Sequence, residues 1–359
     1  SIFGLIAKER KAIKDLQQQL KKIAEEKEDI KKSFFNYGGD NTFNNCEFID
    51  NAAYKYGMIL HDGGTTTFNN CKFTGNKVHE GTDGGAFTVL GGSSGTLKIN
   101  GGEISGNYAG WGAALYVEKS NKSKIANVVV NDVVIKDNET KGSGTVWIDS
   151  KATFTRCTFE NNKANSSSYD SGHSLTIATG ADLQLYGCTI KNHSSANRIS
   201  SVLVRTGAKL TMGEDANGTR SVVQNNTTNY GGAIRVVGDA ELSGTNFIGN
   251  YANGGGAIIV TDGGELTVDD CLFEDNYAKN NFGGAIRFES TGDFTVLNST
   301  FRGNHNNSTG NGTRGGAIST AKCDVVIDNC LFENNYCEVT SGAAFAAEEE
   351  TTGIKITNT

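Results

Sequence analysis

From about residue 33 onward the chain consists of short runs in which apolar and polar residues alternate. Thr267-Val268-Asp269-Asp270-Cys271-Leu272-Phe273 and Ala285-Ile286-Arg287-Phe288 are examples. Alternation over four to eight residues predicts β-strands with one buried face, and the runs are too short for helices. The runs also recur. An aromatic or aliphatic residue is followed three positions later by Asn in about eleven successive copies, from Phe48 and Asn51 to Phe332 and Asn335. The second column reads Asn51, Asn76, Asn107, Asn138, Asn162, His193, Asn226, Asn250, Asn276, Asn304 and Asn335, at spacings of 24 to 33 residues. Two residues before the aromatic column sits a small residue, which is Cys at 46, 71, 157, 188, 271 and 330. Downstream comes a corner motif, clearest in Gly84-Gly85-Ala86-Phe87, Gly255-Gly256-Ala257-Ile258 and Gly283-Gly284-Ala285-Ile286.

A unit of about 28 residues with two or three short strands cannot bury its own apolar face, and stacking the units solves this. The expected body, residues 34–359, is therefore an all-β solenoid of about eleven coils, a right-handed parallel β-helix of pectin-lyase-like form. Column residues then lie above one another at ~4.8 Å. The Cys and Phe columns point inward together. The Asn column fits a turn that tolerates left-handed backbone, and its amides can bond along the stack. Asn51, Asn76, Asn107, Asn250, Asn276, Asn304 and Asn335 are the candidate ladder. Gly-Gly supplies a corner without Cβ atoms. The absence of Pro from all 359 residues agrees, since Pro removes a ladder donor. Segments 166–171, 196–200, 215–220 and 306–313 vary in length and are expected to project outward.

Residues 1–33 differ. Ile6, Ile13 and Leu20 fall seven apart, and Leu16, Ile23 and Ile30 follow the companion series. That is coiled-coil period, so an N-terminal amphipathic α-helix is expected, with Ile6, Ile13, Leu16, Leu20, Ile23 and Ile30 as a seam between copies. This segment carries a net charge of +3 over residues 1–32 and the remainder −10. An acidic body excludes nucleic acid, which requires a basic face. No apolar stretch approaches membrane-spanning length.

The run Phe273-Glu274-Asp275-Asn276-Tyr277-Ala278, followed by Gly283-Gly284-Ala285-Ile286, resembles the repeat of the chlamydial polymorphic membrane proteins. That repeat pairs Phe-x-x-Asn with Gly-Gly-Ala-aliphatic. The resemblance covers about residues 42–359 and implies a right-handed parallel β-helix displayed outside the cell, often adhesive. Two features depart from it: no outer-membrane β-barrel is read in this chain, and the heptad segment is not a feature of that family.

Candidate chemistry is sparse. Asp269-Asp270 and Asp328 occupy places filled by Asn in other coils, and Gly172-His173-Ser174 stands at a corner. No metal-ligand spacing appears, and no cofactor is expected. The stacked cysteines read as buried free thiols, whereas Cys323 and Cys337 lie off the column and are candidates for a disulfide. Eleven Asn-x-Ser/Thr sequons occur. Asn165, Asn217, Asn306, Asn307 and Asn311 fall in the expected insertions and would carry glycans in a eukaryotic source. The expected function is a non-enzymatic extracellular structural or adhesive protein, with a carbohydrate-active enzyme or tailspike-like depolymerase as the alternative. The expected partners are copies of itself, joined through the helix and an open C-terminal end into an oligomer or filament, and surface receptors or glycans.

Overall fold

The computed structural model describes residues 34–359 apart from 80, 93, 121–125, 169–170, 195–198, 280–281, 308–314, 339–341 and 349. The expected heptad helix, with Ile6, Ile13, Leu16, Leu20, Ile23 and Ile30, lies outside the described residues. The described chain is all β, and all of its paired strands run parallel. It is a β-solenoid of about eleven coils.

One coil shows the path. Ile286–Glu289 belongs to a twelve-stranded sheet, Phe294–Leu297 and Thr300–Arg302 to a double sheet bent between them, and His305–Asn306 to a short four-stranded sheet. Each strand pairs with its equivalent one coil away: Ile286 with Ile318, Phe301 with Phe332, His305 with Tyr336. The interior is a continuous apolar column fed by alternate residues of the twelve-stranded and double sheets, while Val78 and Ala109 of the short strands form a small separate cluster with Ala113. Phe247, Phe273, Phe301 and Phe332 stack there at 4.6–4.9 Å with interplanar angles of 3–7°. Repetition of one residue type at one coil position thus becomes ring-on-ring packing.

The asparagines form a buried amide ladder. Asn276 Oδ1 accepts from the backbone N–H of Asn250 at 3.1 Å and from Asn250 Nδ2 at 3.0 Å. Asn276 Nδ2 donates to Asn304 Oδ1 at 3.0 Å and to the Phe247 carbonyl at 2.9 Å. The same links join Asn51, Asn76, Asn107, Asn138 and Asn162, and later Asn226, Asn250, Asn276, Asn304 and Asn335. Each interior rung saturates a primary amide, with two acceptor sites and two donors all used.

The left-handed turn sits one residue earlier than expected. Asp50, Asp137, Asn161, Asn192, Asn225, Asp275 and Asn334 have φ of 49–59°, and Gly75, Gly106, Gly249 and Gly303 have φ of 61–67°. No ladder Asn has positive φ. The ladder residue instead turns its amide inward from ordinary backbone, and the preceding Asn, Asp or Gly takes the αL geometry those residues tolerate. At the corner, Gly255, Gly283 and Gly315 have φ of 61–77°. A Cβ on the glycine that follows, as at Gly284, would overlap the Gly316 carbonyl of the next coil.

The cysteine column behaves like serine. The backbone N–H of Cys157 donates to Cys188 Sγ at 3.4 Å, and that of Cys271 donates to Ser299 Oγ at 3.0 Å. The Cys271 thiol donates back to the Asp269 carbonyl at 3.3 Å, as the Ser299 hydroxyl does to Leu297 at 2.6 Å. Cys and Ser therefore exchange along the column without loss of partners.

Asn276→Leu removes four amide hydrogen bonds and orphans the donors of Asn250. At ~1 kcal/mol net per bond, we expect a loss of about 4 kcal/mol. The exposed Lys279→Ala should change stability by less than about 0.5 kcal/mol. Denaturant unfolding of the two variants checks this, and equal midpoints would remove the ladder's structural role.

Candidate functional site

The outward columns separate scaffold from site. On the double sheet they are polar and self-satisfied. Outward amides link Asn44, Asn69, Asn100 and Asn131 at 2.8–3.0 Å. Lys72 pairs with Glu47, Lys136 with Glu103, and Lys191 with Glu160 at 3.0–3.3 Å, while Arg302 bridges Glu274 and Glu333. Such exposed pairs contribute little singly, but alternating sign along a column penalises a register slip.

The outer face of the twelve-stranded sheet is different. Its outward residues do not repeat, and they include Tyr116, Trp147, Leu203, Arg235, Ile259 and Arg287. Both tryptophans of the sequence lie here or beside it. Trp111 enters from the corner preceding Tyr116 and is 39% exposed. Tyr116 and Trp147 stack one coil apart at 6.3 Å and 22°. The Arg205 guanidinium lies 4.8 Å from the Trp147 ring centre, a cation–π arrangement.

Three carboxylates surround this cluster. Burial raises Asp83 above the usual carboxylate range, against a hydrogen bond from the Tyr116 hydroxyl, and Glu118 raises it further. Burial also raises Asp149, opposed by Lys119 and Arg205. Tyr116 is raised in turn by burial and then by Asp83, Glu118 and Asp149. Glu118 accepts the Gly91 N–H at 3.1 Å. Perturbed carboxylates beside half-buried aromatics mark a candidate site on physical grounds. It offers ring surfaces, hydroxyl and carboxylate acceptors and a guanidinium. Among the described residues, no group of three or more His, Cys, Asp or Glu side chains is arranged to hold a metal ion.

The residues singled out from sequence fall elsewhere. Asp269 accepts from Asn298 Nδ2 at 2.7 Å, Asp270 pairs with Arg220 at 2.9 Å, and Asp328 accepts from Thr357 and Asn358. All three are absorbed in coil-to-coil stacking. All eight cysteines are free thiols, so Cys323 and Cys337 are not bridged. They occupy different corners: Cys323 precedes the strand Asp324–Asp328, and Cys337 lies in the short strand Tyr336–Cys337. Asn165 and Asn217 are exposed, and Asn307 is half-buried. Asn306 is fully buried, which corrects its expected outward placement: it is the inward residue of the strand His305–Asn306. Asn311 lies outside the described residues. Ser171 and Ser200 are also buried. The insertion at 215–220 closes on the Asp215 carboxylate, which accepts the N–H groups of Asn217 and Thr219 at 2.8–2.9 Å and pairs with Arg156 at 3.2 Å.

Two buried histidines interrupt the pattern. His193 replaces a ladder Asn. Its Nδ1 donates to Asn226 Oδ1 at 2.9 Å, because Asn226 Nδ2 is already committed to Ile190 and Asn250. His173 Nδ1 accepts the Ala164 N–H at 3.0 Å, so its proton sits on Nε2. Neither Nε2 has a partner among the described residues. Burial lowers His193 to about 4 and His173 to about 3, the latter also through repulsion from His193.

A segment of the chain is similar to the probable autotransporter YfaL of Escherichia coli strain K12, with 37% identity over 92 residues. The match covers 24% of this chain and 7% of that protein. No family model matches, and no solved structure matches. The local likeness and the solenoid together fit β-helix surface proteins in general.

The histidines set an acid limit on stability. Both are neutral when folded and have folded pKa values below the unfolded value of ~6.5. Their contribution is therefore complete above that value and is lost as pH falls from ~6.5 toward 4. His193→Asn should restore the missing rung and flatten the fall in melting temperature between pH 7 and 4.5. An unchanged pH profile would contradict this assignment.

Proposed function

We propose that this chain is a surface-displayed, non-enzymatic β-solenoid of adhesive or structural type. The carrying observation is the 92-residue likeness to a protein named as an autotransporter, in a chain whose repeats build a parallel solenoid. The resemblance of the repeat to that of the chlamydial polymorphic membrane proteins supports the same reading. Binding is assigned to the cluster of Trp111, Tyr116, Trp147 and Arg205, because large amphipathic rings with fixed polar neighbours suit recognition at a wet surface. On the sequence pattern, the heptad positions from Ile6 to Ile30 join copies of the chain.

A second reading rests on Asp83, Glu118 and Asp149. Several carboxylates on one face, two of them with acidity altered by burial, are what acid–base cleavage of a glycosidic bond requires. Release of oligosaccharides from a polysaccharide panel by the purified protein, abolished by Asp149→Asn, would establish that reading over the adhesive one.

Protease added outside intact cells of the source organism should digest the solenoid. Protection until the cells are lysed would overturn surface display. Trp111→Ala with Trp147→Ala should lower cell attachment at least fivefold while leaving the unfolding midpoint within a few degrees. Removal of residues 1–32 should lower the mass measured by light scattering, and a monomer of unchanged mass before and after would dispose of assembly through that segment.

A further inference from the structure

The last four coils carry an aromatic stripe on a different face. The short strands Tyr251–Ala252, Tyr277–Ala278, His305–Asn306 and Tyr336–Cys337 pair in parallel, so their first residues align and point outward. Tyr251 and Tyr277 stack at 5.1 Å and 29°. The His305 ring is turned edge-on to both neighbours, at 5.1 Å and 70° from Tyr277 and 5.0 Å and 65° from Tyr336. Tyr336 is 52% exposed, and the other three are half-buried. The inward partners Ala252, Ala278 and Asn306 are fully buried, so the strands are anchored and the rings form a fixed ridge.

The same column is mixed in the early coils. There it reads Ala52, Lys77, Tyr108, Glu139 and Lys163, with Lys163 and Glu139 paired at 3.8 Å. The stripe is thus not required by the coil geometry, which accepts charge at this place. Two residues further along the chain the late coils carry Asn253, Lys279, Asn307 and Glu338. Glu338 stands 4.0 Å from His305 Nε2. One base and one acid leave the stripe's flank uncharged overall, on a chain whose net charge is −7.

We propose that Tyr251, Tyr277, His305 and Tyr336 form a binding site for a neutral oligosaccharide lying along the solenoid axis. Sugar rings present apolar C–H faces and hydroxyl edges. The stripe answers with aromatic carbon, phenolic hydroxyls and flanking amides, and with a pitch of about one ring per coil at ~4.8 Å. A neutral chain meets no repulsion from the acidic body, whereas an anionic polymer would. This site is separate from the Trp111–Trp147 cluster.

Binding of cellohexaose, maltohexaose and N-acetylated chitohexaose is measured by isothermal titration and saturation-transfer NMR on the full chain. At least one neutral hexaose should bind. Tyr336→Ala and Tyr277→Ala should each weaken it at least fivefold, Tyr277→Phe should weaken it less, and Lys98→Ala on the double sheet should leave it unchanged. Failure of all three hexaoses to bind, or equal affinity in Tyr336→Ala, overturns the proposal. So does a shift from dimer to monomer in Tyr336→Ala without sugar, which would make the occupant a second copy.

Discussion

The structure depends on one match: a primary amide has two acceptor sites and two donors, and a buried coil turn presents it with that number of partners. Asp offers no donor at this place, and Ser too few groups. Asn fits because its oxygen reaches the backbone and side-chain N–H of the previous rung, while its nitrogen reaches the next rung and a backbone carbonyl. The amides point the same way from coil to coil, so each bond polarises the next. An unpaired amide at zero exposure would be costly. The ladder therefore fixes which residue of one coil lies over which residue of the next, and the phenylalanine stack, the cysteine column and the charged pairs follow from that register.

This explains what could be read from the chain and what could not. The aromatic, Asn, Cys and Gly-Gly columns were visible because stacking selects one residue type at one place and repeats it. The position of the left-handed turn was not, since Asn, Asp and Gly serve both there and elsewhere in the repeat. Asn306 shows the same limit: a sequon in a variable segment looks like a loop, yet its place directly after an aligned outward residue makes it an inward one. Cys323 and Cys337 look like a pair because they flank Cys330 in sequence, but both strands of the double sheet lie between them.

The site was the least legible part, for a related physical reason. The outer face of the twelve-stranded sheet does not match its own neighbours from coil to coil, so it leaves no period to detect. Tyr116 and Trp147 are followed on their column by Thr176 and Leu203, and Trp111 and Arg205 lie off that column, so no residue type repeats from coil to coil. An alignment of the outward residue behind each Gly-Gly-Ala corner would have brought Tyr116 and Trp147 together, and with them the only two tryptophans in the chain. The outward face of the double sheet carries complementary charges in adjacent coils, and its chemistry is spent on itself.

His193 has a mechanical meaning. It can pass a hydrogen bond forward to Asn226 but offers no amide oxygen to Asn162, so the stack is two separate runs of polarised amides rather than one. A solenoid pulled along its axis is expected to yield first where successive layers are least tied together. The joint between the coils of Asn162 and His193 lacks the amide tie that every other pair of rungs in the ladder has, and it divides the body into two blocks.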